Sequence, residues 1–119
     1  MKYSELVVWQ KSMDLVTEIY KFSNNFPSDE RFGLSSQMRR AAVSVPSNIA
    51  EGHGRKAIGA YINHLSIAHG SLMELETQIQ IALRLEFVGA SAALVLIAQS
   101  NEIGRMLNAL KNSLTKQAE

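Results

Sequence analysis

The chain has 119 residues, no cysteine, and 12 basic against 11 acidic side chains, for a formal net charge of +1. The absence of cysteine excludes disulfides and thiolate–metal sites. The balanced charge excludes the strong overall basicity that marks many proteins of nucleic acid or anionic membranes. A chain of this length can bury a substantial apolar core, and we expect one domain spanning residues 1–119.

Targeting and membrane signals are weak in this chain. The longest unbroken apolar run is Ala92 to Ala98, far short of the roughly 20 residues that a membrane-spanning helix needs. The opening residues Met1 to Glu5 lack a basic region followed by an apolar stretch and a cleavage site. We therefore expect a cytoplasmic protein with no membrane contact.

Helix-breaking residues predict the number of elements. They occur in three loops, at Pro27 to Asp29, Gly52 to Gly54 and Glu86 to Gly89. The segments between these loops are much longer than typical strands and lack β-type alternation. The sequence predicts an all-α protein, an antiparallel up-and-down four-helix bundle.

Apolar side chains at helical spacing indicate the face that each of the first two helices buries. The first helix is expected from about Ser4 to Ser23, with the stripe Leu6, Trp9, Met13, Val16 and Tyr20, which Ile19 widens. The second carries the stripe Leu34, Met38, Ala41, Ala42, Val45 and Ile49. We expect a kink at Pro46, which lacks a backbone N–H, and a C-terminal cap at Gly52.

The third and fourth helices also carry apolar stripes. The pattern of the third is the most regular, and the fourth is expected from about Ala90 to Lys116. The third repeats Tyr61, Leu65, Ala68, Leu72, Leu75, Ile79 and Ala82, and the fourth Leu96, Ile103, Leu107, Leu110 and Leu114. From these stripes we predict one core that includes Trp9, Met13, Met38, Val45, Leu65, Leu72, Leu75 and Leu107.

Residues that could support catalysis or metal binding do not converge. His64 and His69 are five residues apart, about 140° around a helix, and His53 lies alone in a glycine-rich turn. Glu74 and Glu76 point about 200° apart, so they cannot share a proton or a metal ion. We predict no catalytic residue, no metal and no cofactor.

Basic residues are concentrated in one region. Residues 31–56 contain Arg31, Arg39, Arg40, Arg55 and Lys56 against Glu51 alone. Arg39, Arg40, Arg55 and Lys56 are therefore the candidates for nucleic-acid binding. For Arg39 and Arg40, which share the second helix with the outward Val43, a contact with another subunit is the simpler alternative. The turn at Gly52 to Lys56 could hold a phosphate at a helix N-terminus. It matches no phosphate-loop motif, and a glycine-rich turn with a solvated basic pair is the simpler interpretation.

A second apolar stripe predicts an oligomer. Ile67, Glu74 and Ile81 lie roughly opposite the core stripe of the third helix, and Val43 lies on the outer face of the second. The first half of the fourth helix is apolar around its circumference. One bundle cannot cover all of these residues, so Val43, Ile67, Glu74 and Ile81 are the candidates for a subunit interface.

Two long stretches resemble a known family. Ser36 to Gly52, continuing to Gly54 and Arg55, and Ile67 to Gln78 are similar to motifs of a bacterial four-helix-bundle family. That family was first noted in intervening sequences of large-subunit ribosomal RNA genes. Shorter matches occur at Val8 to Lys11, Ile19 to Tyr20 and Phe26 to Pro27, so the resemblance covers nearly the whole chain.

The resemblance implies a helical bundle that assembles into a ring, commonly a pentamer. A relative, the accessory protein of diversity-generating retroelements, is a strongly basic ring that associates with reverse transcriptase and nucleic acid, whereas this chain is nearly neutral. Arg39, Arg40 and Arg55 match motif residues of the family, as do Glu74 and Glu76.

Three functions remain open at this point. The first is a non-enzymatic oligomeric scaffold associated with RNA, DNA or a ribonucleoprotein, with a protein partner such as a reverse transcriptase. The second is a protein–protein adaptor with no nucleic-acid contact. The third is an enzyme with an unrecognised site, which would require a deep polar pocket.

Overall fold

Four long helices form from the four periodic segments, and the chain contains no strand. The computed structural model describes residues 1–119. The helices are α1 (Val7–Ser23), α2 (Leu34–His53), α3 (Ile58–Arg84) and α4 (Ala90–Ala118). Short 3-10 turns at Tyr3–Glu5 and Ser28–Glu30 precede α1 and α2. The prediction of an all-α four-helix protein is confirmed.

The helices pack in chain order around a square. Each packs closely against its neighbour along the chain, α4 returns to pack against α1, and the backbones of the two diagonal pairs lie farther apart. Short connections turn the chain back at each end, which gives an antiparallel up-and-down bundle of 48 × 23 × 20 Å. The α1–α4 pair and the α2–α3 pair therefore form opposite sides of the bundle.

One core of 20 buried apolar residues fills the centre. The predicted core residues of α2, α3 and α4 are all buried: Met38, Val45, Leu65, Leu72, Leu75 and Leu107. The predicted stripes of these helices coincide with the faces that the structure buries. Regular 3–4 spacing of aliphatic residues was enough to orient these three helices.

The predicted orientation of α1 is wrong. Met13 is 42% exposed and Trp9 is only half-buried. The face of α1 that meets the core is instead Val8, Ser12, Leu15, Ile19 and Ser23. Its two serines made this face look polar, but each hydroxyl donates to a carbonyl one turn earlier, Ser12 to Val8 at 2.7 Å and Ser23 to Ile19 at 2.8 Å. Satisfied in this way, both hydroxyls can be buried.

Helix α2 continues through Pro46 and past Gly52. Pro46 is buried within the helix, and beside it the side-chain amide of Asn48 donates to the Ser44 carbonyl at 2.9 Å. The predicted cap at Gly52 is wrong, because the helix extends to His53 and is followed by Gly54. Gly52 is buried against α3, where a Cβ atom would lie 2.7 Å from the His64 Cβ. Its role is to let the two helices approach closely.

No helix combines the length and the apolar character needed to cross a lipid bilayer.

Candidate functional site

An open cleft of about 580 Å³ lies where the end of α1, the following loop and the first turns of α2 meet. It is lined by Tyr20, Arg31, Phe32, Ser36, Arg39, Arg40, Val43 and Ser44. The lining contains three arginines and no carboxylate. The cleft is therefore a concentrated positive site on a chain whose total charge is close to zero.

Arg39 is held by contacts within the protein. Its Nε donates to the Ser23 Oγ at 2.9 Å, and its Nη2 donates to the Tyr20 carbonyl at 3.4 Å. The guanidinium lies 4.6 Å from the centroid of the Tyr20 ring, a cation–π contact. Tyr20, assigned to the core from its spacing, is 44% exposed. Arg39 joins the C-terminal end of α1 to α2, where a cation also suits the helix dipole.

Phe32 is the most exposed large apolar side chain in the bundle, at 86%. It lies in the loop before α2, and the Arg31 guanidinium is 5.4 Å from its ring centroid. Sequence reasoning counted Arg31 only toward the local charge and missed Phe32 altogether. The signal was present as an arginine–phenylalanine pair in a short connection, outside any apolar stripe.

Arg55 and Lys56 lie at the other end of α2, in the turn before α3. Both are exposed, and the Arg55 Nη2 is 3.6 Å from the Glu51 carboxylate. Fifteen residues separate Arg55 from Arg40, which corresponds to about 22 Å along a helix. The four predicted nucleic-acid-binding residues therefore form two separate groups within one protomer.

Three of the predicted interface residues, Ile67, Glu74 and Ile81, lie on α3, whereas Val43 lies on α2 beside α1. Val43, Ile67 and Ile81 are 40%, 46% and 42% exposed, and Glu74 is also exposed. The Glu74 carboxylate accepts a hydrogen bond from the Gln78 side chain at 3.2 Å and has no arginine within ion-pair distance. The seam between the two helices is polar, with the Ser71 hydroxyl donating to the Ser44 Oγ at 2.8 Å.

Val43 also lines an apolar groove of about 300 Å³ between α1 and α2. The rest of its lining is Tyr3, Trp9, Met13, Val16, Pro46, Ser47 and Ala50. These α1 residues belong to the stripe that the sequence assigned to the core. Within this stripe Met13 and Tyr20 are exposed, and Trp9 and Val16 are only partly buried against the core, so the apolar area on this side is larger than the sequence predicted.

The opposite side of the bundle, formed by α1 and α4, is apolar as well. A groove of about 360 Å³ is lined there by Phe22, Ala92, Val95 and Leu96, with Glu18 and Lys21 at its edge. Leu94 and Val95 are 63% and 58% exposed. The apolar first half of α4 thus remains largely uncovered within a single protomer.

The histidines and acidic residues occupy separate environments. The His64 Nδ1 is 3.0 Å from the Asn48 Oδ1 on α2, whereas His69 lies beside Gly104 of α4. No group of three or more histidine and carboxylate side chains is arranged to hold a metal ion. Burial raises the pKa of the Tyr61 phenol.

The fold and its surfaces define a class of protein: a small helical bundle with open clefts and apolar faces on opposite sides. The chain belongs to the family of 23S rRNA-intervening sequence proteins, whose model matches residues 4–109. A solved structure from Bacteroides thetaiotaomicron, a protein of unknown function from the S23 ribosomal protein family, is similar to it. The two chains are 28% identical with a TM-score of 0.80, over 88% of this chain and 98% of the other. No curated protein shows significant similarity to the chain.

Proposed function

We propose that this protein is a non-enzymatic scaffold that assembles into a closed ring and associates with RNA or DNA, or with a ribonucleoprotein. The observation that carries the proposal is the position of the uncovered apolar residues. Ile67 and Ile81 lie on the outer face of α3, and Val95 lies on the opposite side of the bundle, in the groove between α1 and α4. Exposed apolar faces of this kind mark interaction surfaces.

Two unlike faces on opposite sides favour a head-to-tail contact between identical subunits. In such a contact, the α2–α3 side of one protomer meets the α1–α4 side of the next. Repeated around a rotation axis, a head-to-tail contact gives a ring when the rotation closes. The family resemblance supports five subunits. Glu74, between Ile67 and Ile81 and without a cation of its own, would pair with a basic residue of the neighbouring subunit.

Nucleic-acid association is supported by the exposed cations Arg40, Arg55 and Lys56. One protomer offers few contacts, but a ring repeats them around its circumference and adds them by avidity. Arg39 contributes less directly, because its guanidinium is engaged with Ser23 and Tyr20. Binding through these residues is expected to tolerate changes in the nucleic-acid sequence. It should weaken steeply as the salt concentration rises, because the counterions released on binding then gain less entropy.

Light scattering at micromolar protein concentration tests the ring. We expect a mass several times that of one chain, and Ile67→Arg should reduce it because a cation would enter an apolar contact. Gln80→Arg, at an exposed polar position on the same helix, is the matched control and should leave the mass unchanged. Glu74→Ala should weaken assembly. A monomeric wild-type protein would refute the ring.

Titration of mixed RNA and DNA at low salt tests the nucleic-acid association. The double variant Arg55→Glu and Lys56→Glu should weaken binding while keeping the oligomer, since both residues lie in an exposed turn. A protein–protein adaptor is the second candidate function, and the apolar groove between α1 and α2 is the observation that favours it. An intact ring that binds no nucleic acid even at low salt would favour the adaptor over the proposed association.

A further inference from the structure

The open cleft lined by Arg31, Phe32, Arg39 and Arg40 contains a combination of groups that assembly of the oligomer does not require. Phe32 presents its ring to solvent at 86% exposure, in a loop where no core packing holds it. Arg31 and Arg40 are both exposed, and neither has a carboxylate within ion-pair distance. Of the nearby acidic residues, Glu30 accepts a hydrogen bond from the Leu34 N–H, and Asp29 does not line the cleft.

The arginines in the cleft differ in availability. The Arg39 guanidinium is already hydrogen-bonded to Ser23 and in cation–π contact with Tyr20, so its position in the cleft is fixed. Arg31 and Arg40 retain free donors at the mouth of the cleft. Two available guanidinium groups beside an exposed aromatic ring match a ligand that carries both negative charge and flat apolar faces.

We propose that the cleft binds a single-stranded segment of RNA or DNA, with one base stacked on Phe32 and the flanking phosphates held by Arg31 and Arg40. The inference rests on the proposed association with nucleic acid and names its site and ligand. A base within a duplex is already stacked on both faces, so an aromatic side chain selects unpaired bases. An acidic peptide would satisfy the arginines but would leave the solvent-exposed part of the Phe32 ring uncovered.

Phe32 is a favourable residue for a test because it is exposed, so substituting it should affect binding without affecting the stability of the fold. Phe32→Ala removes the ring without opening a cavity in the core. Loss of one stacked base is expected to weaken binding of a single strand about 5- to 150-fold. Phe32→Tyr keeps the ring and should retain affinity, whereas Phe32→Leu keeps apolar character without a stacking face and should behave like Phe32→Ala.

Fluorescence anisotropy with labelled oligonucleotides of about a dozen nucleotides, single-stranded and duplex, measures these effects. The full-length protein is used, with its oligomeric state verified for every variant. We expect the wild type to prefer the single strand, and the preference to disappear in Phe32→Ala. Arg31→Ala should weaken binding. It should also reduce the slope of the logarithm of the binding constant against the logarithm of the salt concentration by about one, because one phosphate contact is lost. Arg105→Ala, an exposed arginine outside the cleft, is the control of equal charge.

The outcomes separate this inference from the proposed function. A wild-type protein that binds no oligonucleotide at low salt would overturn both. Binding that is equal for single strand and duplex, and unchanged in Phe32→Ala, would keep the nucleic-acid association but overturn the cleft as its site. Binding of a polyglutamate peptide in place of oligonucleotides would identify the cleft as an acidic-peptide site and overturn the inference.

Discussion

The Arg39 guanidinium lies 4.6 Å from the centroid of the Tyr20 ring while its Nε donates to the Ser23 Oγ at 2.9 Å. One side chain of α2 thus contacts two residues in the last turn of α1. Since Arg39 is half-buried and Arg40 is exposed, two adjacent arginines have different roles. Arg39 stabilises the helix pair, and Arg40 remains available at the cleft.

Arg39→Ala is expected to lower the free energy of unfolding by about 1–2 kcal/mol, from the lost hydrogen bond and cation–π contact. Arg40→Ala is the matched control and should change it by no more than about 0.5 kcal/mol. Urea denaturation followed by circular dichroism, at one protein concentration, measures both. Equal effects of the two substitutions would contradict the assigned roles.

Gly52→Ala should destabilise the protein although alanine is the better helix former. The new Cβ would lie 2.7 Å from the His64 Cβ and 3.0 Å from the Tyr61 Cδ1. The His64 Cβ is attached directly to the backbone of α3, so the helices must separate, at about 1–3 kcal/mol for overpacking of this kind. This exceeds the gain of roughly 0.5–1 kcal/mol from helix propensity.

Gly70→Ala is the control for Gly52→Ala. A Cβ at Gly70 meets nothing within 4 Å, so only the propensity gain remains. We expect an increase of roughly 0.5–1 kcal/mol in the free energy of unfolding, measured by the same denaturation. Destabilisation at both positions would show that glycine is required for another reason.

Leu15→Ala and Met13→Ala test the orientation of α1. Leu15 is 1% exposed and Met13 is 42% exposed. Truncating the buried leucine should cost about 2–5 kcal/mol, and truncating the methionine clearly less. If urea denaturation shows a larger loss of unfolding free energy for Met13→Ala than for Leu15→Ala, the orientation predicted from the sequence pattern would be supported instead.

Glu86→Gly should stabilise the turn between α3 and α4. Glu86 has a φ of +61°, and it is the only residue other than glycine with positive φ. The Glu86 N–H bonds to the Leu83 carbonyl and the Phe87 N–H to the Ala82 carbonyl at 3.0 Å, the Schellman arrangement that ends many helices. Relief of the left-handed strain should raise the free energy of unfolding by about 1 kcal/mol. Glu86→Ala keeps a Cβ and is the control, which should give no such gain. Thermal unfolding of both variants measures the difference.

The phenol of Tyr61 predicts a loss of stability at alkaline pH. Burial raises its pKa in the folded protein above the unfolded value of 10.0. At a pH above the unfolded value, the unfolded chain has lost a proton that the folded chain retains, so the free energy of unfolding falls as pH rises. Stability is therefore unaffected by this group well below pH 10.0 and declines above it. Comparing wild type with Tyr61→Phe by urea denaturation across this range isolates the effect, since the variant should decline less.

The sequence by itself determined the number of helices and the buried faces of α2, α3 and α4. Their apolar residues repeat at helical spacing with few polar interruptions, so local pattern and final packing agree. It also determined that Val43, Ile67 and Ile81 are left outside the core. Periodicity alone identifies these features, because they depend on residues of one helix.

Only the tertiary structure decided the orientation of α1 and the composition of the cleft. The orientation depends on whether Ser12 and Ser23 can satisfy their hydroxyls in the core, and both do so through their own backbone. The cleft joins Tyr20 and Arg39, which are nineteen residues apart, with Phe32 from the loop between them. Contacts at such separations are set by how the helices dock, and no local spacing encodes them.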